Sequence, residues 1–140
     1  GSALKCASSR LQGCRDVVLA ALADDAYALQ YASFELRDDD TLVTETVSQE
    51  WRCLEFASPR LRHDRNVVLA AIRRNGRALQ FASQDLRCDR DVVMAAVAQD
   101  FRSLQYASEA LRSDGVMILA AVSYLKLPWA LAHASEELRG

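Results

Sequence analysis

Apolar and polar positions alternate along this chain in a block that keeps returning, Leu-x-x-Ala-Ser-x-x-Leu, with further apolar residues at helical spacing between the copies. The serine marks the period: Ser8, Ser33, Ser58, Ser83, Ser108 and Ser135, 25 residues apart except for a last interval of 27. Leu4, Leu29, Leu54, Leu79, Leu104 and Leu131 precede each serine by four residues; Leu11, Leu36, Leu61, Leu86, Leu111 and Leu138 follow it by three. Each serine is directly preceded by an alanine, from Ala7 to Ala134. A fixed short period kept over six copies marks a repeat array, in which each unit is one supersecondary element.

Within a unit the pattern predicts three elements. Asp64 to Arg74 opens on an N-cap residue and continues as helix A, about ten residues long. At about 100° per residue, Val67, Val68, Ala71 and Ile72 share one stripe, with Leu69 on its flank. The equivalents are Val17, Val18 and Leu22; Leu42, Val43 and Val47; Val92, Val93 and Val97; Met117, Ile118 and Val122. Asn75-Gly76 is a stop or turn signal. The matching Asp25 and Asp100 either end helix A or cap the next helix, and both readings stay open. Helix B follows through Ala78 to Ala82, with Leu79 and Ala82 inward.

Ser58-Pro59 argues against running helix B on through the serine, because a mid-helix proline costs about 3 kcal/mol. Proline is favoured at the first helical position after an N-cap serine. Ser33, Ser58, Ser83 and Ser108 are therefore expected to cap a third, one-turn helix that delivers its leucine to the core, as Asp64 and Asp89 cap helix A. The alternative is a small residue whose hydroxyl bonds the carbonyl four residues back.

No such unit can bury its apolar face alone. The predicted fold is all-α: a right-handed α-solenoid with a wall of A helices, a wall of B helices and one leucine layer per repeat. The expected boundaries are a partial repeat 1–14, repeats 15–39, 40–64, 65–89 and 90–114, and a last repeat with an insertion, 115–140. Thr44-Glu45-Thr46 replaces the usual Leu-Ala-Ala triplet, with Glu45 predicted outward, Thr46 in a core position and Thr44 on the flank. It reads as tolerated polar variation or as a local joint or contact point.

The motif Asp-Arg-x-Val-Val-Leu-Ala-Ala-Val/Ile-x-x-Asn-Gly-x-Ala-Leu-x-Phe/Tyr-Ala-Ser-x-x-Leu-Arg, best seen in Asp64–Arg87, resembles the repeats of the domain-of-unknown-function family numbered 4116. The resemblance covers essentially the whole chain. Departures are the Thr44 triplet, Cys14 at a capping position and the insertion before Trp129. It implies an array fold and no known activity, so no functional residue is carried across.

Charge changes the picture little. A net charge of −2 gives no field favouring nucleic acid or an anionic membrane surface. No apolar run approaches the roughly 20 residues of a membrane span. Gly1-Ser2 reads as a vector scar, and the chain opens within a repeat at Ala3-Leu4, as a piece of a longer array would. Cys6, Cys14, Cys53 and Cys88 occupy four different columns without motif-like pairing, which points to free thiols and a reducing intracellular compartment.

Candidate chemistry is sparse. His63 and His133 sit in separate columns; a metal needs ligand atoms about 2 Å from one ion, whereas stacked repeats lie roughly 10 Å apart. No glycine-rich phosphate loop occurs, and a serine repeated as a cap is a poor nucleophile. No enzyme activity and no cofactor is expected. Two sets of surface residues remain. Arg37, Arg62, Arg87, Arg112 and Arg139 form a ladder beside Asp39, Asp64, Asp89 and Asp114, read either as a mutually neutralising surface or as guanidinium groups that receive carboxylate or phosphate. Tyr27, Trp51, Phe101 and Trp129 stand at the turn between helices A and B, next to the column Tyr31, Phe56, Phe81 and Tyr106, as aromatic contact points for a partner. The leading reading is a non-catalytic protein-interaction scaffold binding a peptide, helix or partner domain on one face. The alternatives are a single-stranded nucleic-acid reader, against which the near-neutral charge argues, and a structural spacer or array that associates end to end with further repeats.

Overall fold

The computed structural model describes the backbone of residues 2–125 and the side chains of residues 4–123, and every described element is helical. The short helices α1 (Ser2–Lys5) and α2 (Ser9–Gln12) open the chain. From there one motif recurs: a long α-helix, a six-residue 3-10 helix and a one-turn α-helix. The long helices are α3 (Arg15–Asp24), α5 (Asp40–Gln49), α7 (Arg65–Arg74), α9 (Arg90–Gln99) and α11 (Gly115–Leu125). The 3-10 helices are η1 (Ala26–Tyr31), η2 (Trp51–Phe56), η3 (Gly76–Phe81) and η4 (Phe101–Tyr106). The one-turn helices are α4 (Phe34–Arg37), α6 (Pro59–Arg62), α8 (Gln84–Arg87) and α10 (Glu109–Arg112).

Long helices stack on long helices, α5 on α7, α7 on α9 and α9 on α11, while η1 to η4 pack in a parallel row against them. Both walls share one core. Leu29, Leu54 and Leu79 are fully buried, as are Val18, Val43, Val68 and Val93 from the long helices. Burying one such side chain contributes about 1.5–3 kcal/mol, and the neighbouring repeat supplies much of the cover. Leu36, Leu61 and Leu86 from the one-turn helices reach the core, whereas Leu11 stays exposed and Leu111 half-buried. Trp129, Leu131, His133, Ser135, Leu138 and Arg139 lie outside the described residues.

Three expectations change in detail. Helix B is a 3-10 helix, because only six residues lie between two extended positions, such as Asp25 (φ −153°) and Ala32 (ψ 155°) in the first full repeat. The tighter i to i+3 ladder fits that short span, as in Ala28 N–H to the Asp25 carbonyl at 2.9 Å. The two readings of Asp25 and Asp100 are both realised: each N–H closes the preceding long helix, on Ala21 and Ala96, while each carboxylate accepts the N–H two residues on. Asn75-Gly76 does stop the long helix at Arg74, the Asn75 N–H bonding the Ala71 carbonyl at 3.0 Å, but Asn75 is extended (φ −158°) and Gly76 already begins η3.

The serine column is more varied than a row of identical caps. All four serines hold the extended cap backbone. Ser58 Oγ accepts the Leu61 N–H at 3.2 Å and Ser83 Oγ accepts that of Leu86 at 3.5 Å. Ser33 and Ser108 make no side-chain cap bond, which corrects that part of the expectation. What the serines share is a main-chain bond. Their N–H groups donate across the repeat boundary, from Ser33 to Gln12, Ser58 to Arg37, Ser83 to Arg62 and Ser108 to Arg87, at 2.9–3.0 Å. Asp64 and Asp89 do cap, each accepting two N–H groups at the start of α7 and α9.

In the variant triplet Glu45 is exposed, Thr44 half-buried and Thr46 buried, as the helical wheel predicts. Thr46 is satisfied internally, its hydroxyl donating to the Leu42 carbonyl at 2.7 Å. It also borders a shallow groove between α3 and α5 together with Leu19, Leu22, Leu42 and Glu45.

Candidate interaction surface

The one-turn helices build one edge of the array. Each ends on an arginine, Arg37, Arg62, Arg87 or Arg112, and the carbonyl of the first three is held by the serine N–H of the next repeat. That main-chain bond ties the spacing of the arginines to the spacing of the repeats. The side chains of Arg37, Arg62 and Arg87 are half-buried, and in all three the Nε–H is buried without a hydrogen-bond partner. Arg112 is exposed. Among the described residues no carboxylate lies within 4.0 Å of any of these four guanidinium groups. Arg87 donates to Gln84 Oε1 at 2.6 Å.

The aspartates beside them are engaged elsewhere. Asp39, Asp89 and Asp114 cap their long helices with one oxygen and pair through the other with Arg15, Arg65 and Arg90 of the preceding repeat, the last at 2.8 Å. Asp64 has no such partner because the matching position is Asp40 rather than arginine. The reading in which this aspartate column neutralises the ladder is thereby corrected: Asp39, Asp89 and Asp114 pair with a second arginine column instead. Its signal was legible, since Arg15, Arg65 and Arg90 recur in register at multiples of 25. At the break, Arg60 steps in, donating Nε to Asp38 at 3.0 Å and Nη2 to Asp40 at 2.8 Å.

The electrostatics follow these partners. The Ser58 hydroxyl, and after it the Arg60 guanidinium, hold the Asp38 carboxyl below the usual carboxylate range. Asp39 and Asp114 are lowered first by the capped N–H groups of Leu42 and Met117, with Arg15 and Arg90 adding to this. The Glu35 carboxyl is lowered by its own N–H and by the Ser33 hydroxyl, which is where that serine's side chain turns.

The aromatic candidates lie on the 3-10 wall and pack between repeats. Tyr27 meets Phe56 edge-on with ring centroids 6.4 Å apart, and Trp51 meets Phe81 at 6.1 Å. Tyr27 and Trp51 are half-buried, and Phe101 is buried in the core at 9% exposure. Arg52 lies 4.7 Å over the Trp51 ring, and contact with the Tyr27 oxygen, then with Glu50, holds its proton more firmly than usual. The structure therefore brings Tyr27, Trp51 and Arg52 into one partly exposed cluster. It gathers Arg37, Arg62, Arg87 and Arg112 along the one-turn helices and leaves Phe101 inside.

Cysteine and histidine contribute little to either surface. Cys53 is buried in η2 and burial pushes its thiol up to about 12, so it stays protonated at neutral pH. All four cysteines are free. His63 Nδ1 stands 3.6 Å from Asp85 on the exposed edge. Among the described residues no group of three His, Cys, Asp or Glu side chains converges, and no helix is long and apolar enough to cross a membrane.

The model of a family described as a domain of unknown function (DUF4116) matches residues 1–37, 14–62, 39–87 and 64–112. No curated protein and no solved structure matches the chain. The last three matches begin 25 residues apart, the period of the serine column and of the arginine ladder. With overlapping matches running from residue 1 to residue 112 of 140, in step with its own repeat, the chain belongs to the DUF4116 family.

Proposed function

We propose that this array is a non-catalytic interaction module that binds a peptide, helix or partner domain along one face, with the arginine edge as its contact surface. The observation that carries this reading is the contrast between two arginine columns: Arg15, Arg65 and Arg90 are paired, while Arg37, Arg62, Arg87 and Arg112 have no carboxylate partner among the described residues. A cation with a packed stem and no counterion is poorly compensated, and a ligand that brings the acceptor gains charge-assisted bonds. The fold supports a scaffold role, because the arginines are fixed by main-chain bonds between repeats rather than carried on loops. The repeated serines serve the backbone, and Ser58 is held between the Leu61 N–H and Asp38. Tyr27 and Trp51 offer a secondary aromatic contact area, and near-neutral net charge argues against a nucleic-acid partner.

The test is selection of a displayed peptide library on the immobilised full chain. The reading expects enriched peptides that compete with one another and lose binding to the Arg62→Gln/Arg87→Gln variant while the variant's urea midpoint stays within error. Selection that enriches nothing, or only peptides indifferent to that variant, defeats it.

A further inference from the structure

We propose that Arg37, Arg62 and Arg87 receive side-chain carboxylates of an extended acidic peptide, one per repeat, three residues apart in the ligand. The proposal rests on the arginine edge being the contact surface and adds the chemistry and register of what binds there.

Three arginines in consecutive repeats share one environment: half-buried, with Nε–H buried and without an acceptor. A buried donor without a partner requires an explanation, and one recurring in register over three repeats is a property of the fold. The nearby acids turn elsewhere, and Asp64, which caps α7 without an arginine partner, comes no nearer the ladder guanidinium groups than the rest. Asp38 and Asp40 hold Arg60, Asp39 holds Arg15, and Asp89 holds Arg65. A carboxylate that pairs with these guanidinium groups would then come from outside the described residues. Arg112 is exposed and so lacks the buried Nε–H that the other three share; it falls outside the set, and the ligand carries three carboxylates rather than four.

Carboxylate is favoured over the phosphates of a nucleic acid by the surroundings. The arginines stand at the C-terminal ends of one-turn helices, away from the free N–H groups of a helix start that would add to a phosphate site. Glu35, Asp38, Asp85 and Glu109 lie along the same helices or directly after them, so the edge has little cationic excess. A planar carboxylate neutralises one guanidinium at a time through paired hydrogen bonds and needs no such excess, unlike a polyanion.

Register follows from the fold. Each ladder carbonyl is bonded to the serine N–H of the next repeat, so the arginines advance by one repeat pitch, roughly 10 Å as for packed helices. An extended chain rises about 3.3 Å per residue, so three residues cover one pitch. Side chains three apart point to opposite sides of a flat strand, and the ligand must therefore twist as polyproline II does, with three residues per turn and about 3.1 Å rise. Glutamates at every third position of such a segment all face one side.

The experiment measures fluorescence anisotropy of labelled peptides against the full chain: one with three glutamates at every third position among proline and alanine, and an isomer with the same residues but contiguous glutamates. An oligouridine serves as a third probe. The spaced peptide is expected to bind at least tenfold tighter than the isomer. Arg62→Gln/Arg87→Gln should lose at least tenfold, and Arg62→Lys/Arg87→Lys should lose most of that, because charge without the planar fork is insufficient. Arg73→Gln/Arg74→Gln on α7 should leave binding unchanged. Equal affinity for the two isomers, full activity of the lysine variant, or tighter binding of oligouridine overturns the proposal. If library selection yields ladder-dependent peptides without acidic residues, the carboxylate register fails while the interaction reading stands; if it yields no peptide, both fail.

Discussion

Gly76→Ala is the most direct probe of how closely the repeats stack. Gly76 begins η3 and is buried, and a Cβ placed on it would lie 2.2 Å from the Ala96 carbonyl oxygen, 3.0 Å from the carbonyl carbon and 2.7 Å from Ser103 Oγ. The Ala96 oxygen is fixed, since it accepts the Asp100 N–H at 3.0 Å and so closes α9. The added methyl can be accommodated only if η3 and α9 move apart, at the junction between two repeats. Overpacking of this kind costs about 1–3 kcal/mol, and contact with backbone rather than a flexible side chain places the expected loss near 2 kcal/mol. Gly13 is the internal control. Its nearest neighbour would be 3.6 Å from an added Cβ and its φ is −91°, so Gly13→Ala should stabilise by about 0.4–1 kcal/mol through the unfolded chain. Urea denaturation followed by circular dichroism measures both, with the midpoint shifting at constant slope. A Gly76→Ala midpoint equal to that of the parent protein would refute the close approach.

Ser103 is fully buried with its hydroxyl unpartnered, where Ala28 and Ala78 occupy the same column. Ser103→Ala should therefore raise stability by about 1 kcal/mol in the same urea assay, by removing a desolvated hydroxyl. Ser58→Ala should cost about 1–2 kcal/mol because Ser58 caps Leu61 and donates to Asp38, whereas Ser33→Ala, without a cap bond, should cost less than about 0.5 kcal/mol. Burial raises the folded Cys53 thiol from 9.0 to about 12, so its contribution to stability is complete below pH 9 and is lost as pH rises towards 12. Cys53→Ala should flatten that alkaline loss in urea midpoints measured across the range. In the folded protein, thiol reagents at neutral pH should label exposed Cys6 and Cys88 but spare Cys53.

Much of the fold is legible in the residues because the repeat writes each position several times. The stripe Val67, Val68, Ala71 and Ile72 reads as buried in any copy, and Pro59 alone excludes one continuous helix through the serine. Six-residue 3-10 helices are harder to see, since Leu79 and Ala82 serve equally as inward positions of a short α-helix; the two extended ends decide. The arginine ladder is visible as a column, but its lack of counterions is not. Arg37 and Asp39 are neighbours in sequence, yet Asp39 turns to Arg15, 24 residues earlier, because capping α5 points its carboxylate towards the preceding repeat.

The sequence by itself determined the period, the all-helical character and the core, since these depend on local propensity and on burial patterns that every copy repeats. Only the tertiary structure decided which arginines are paired, which serines cap, that Phe101 is interior and that Gly76 is required for close contact. Those outcomes depend on distances across the repeat junction, where the neighbour's carbonyl, carboxylate or ring is set by stacking rather than by anything within one unit.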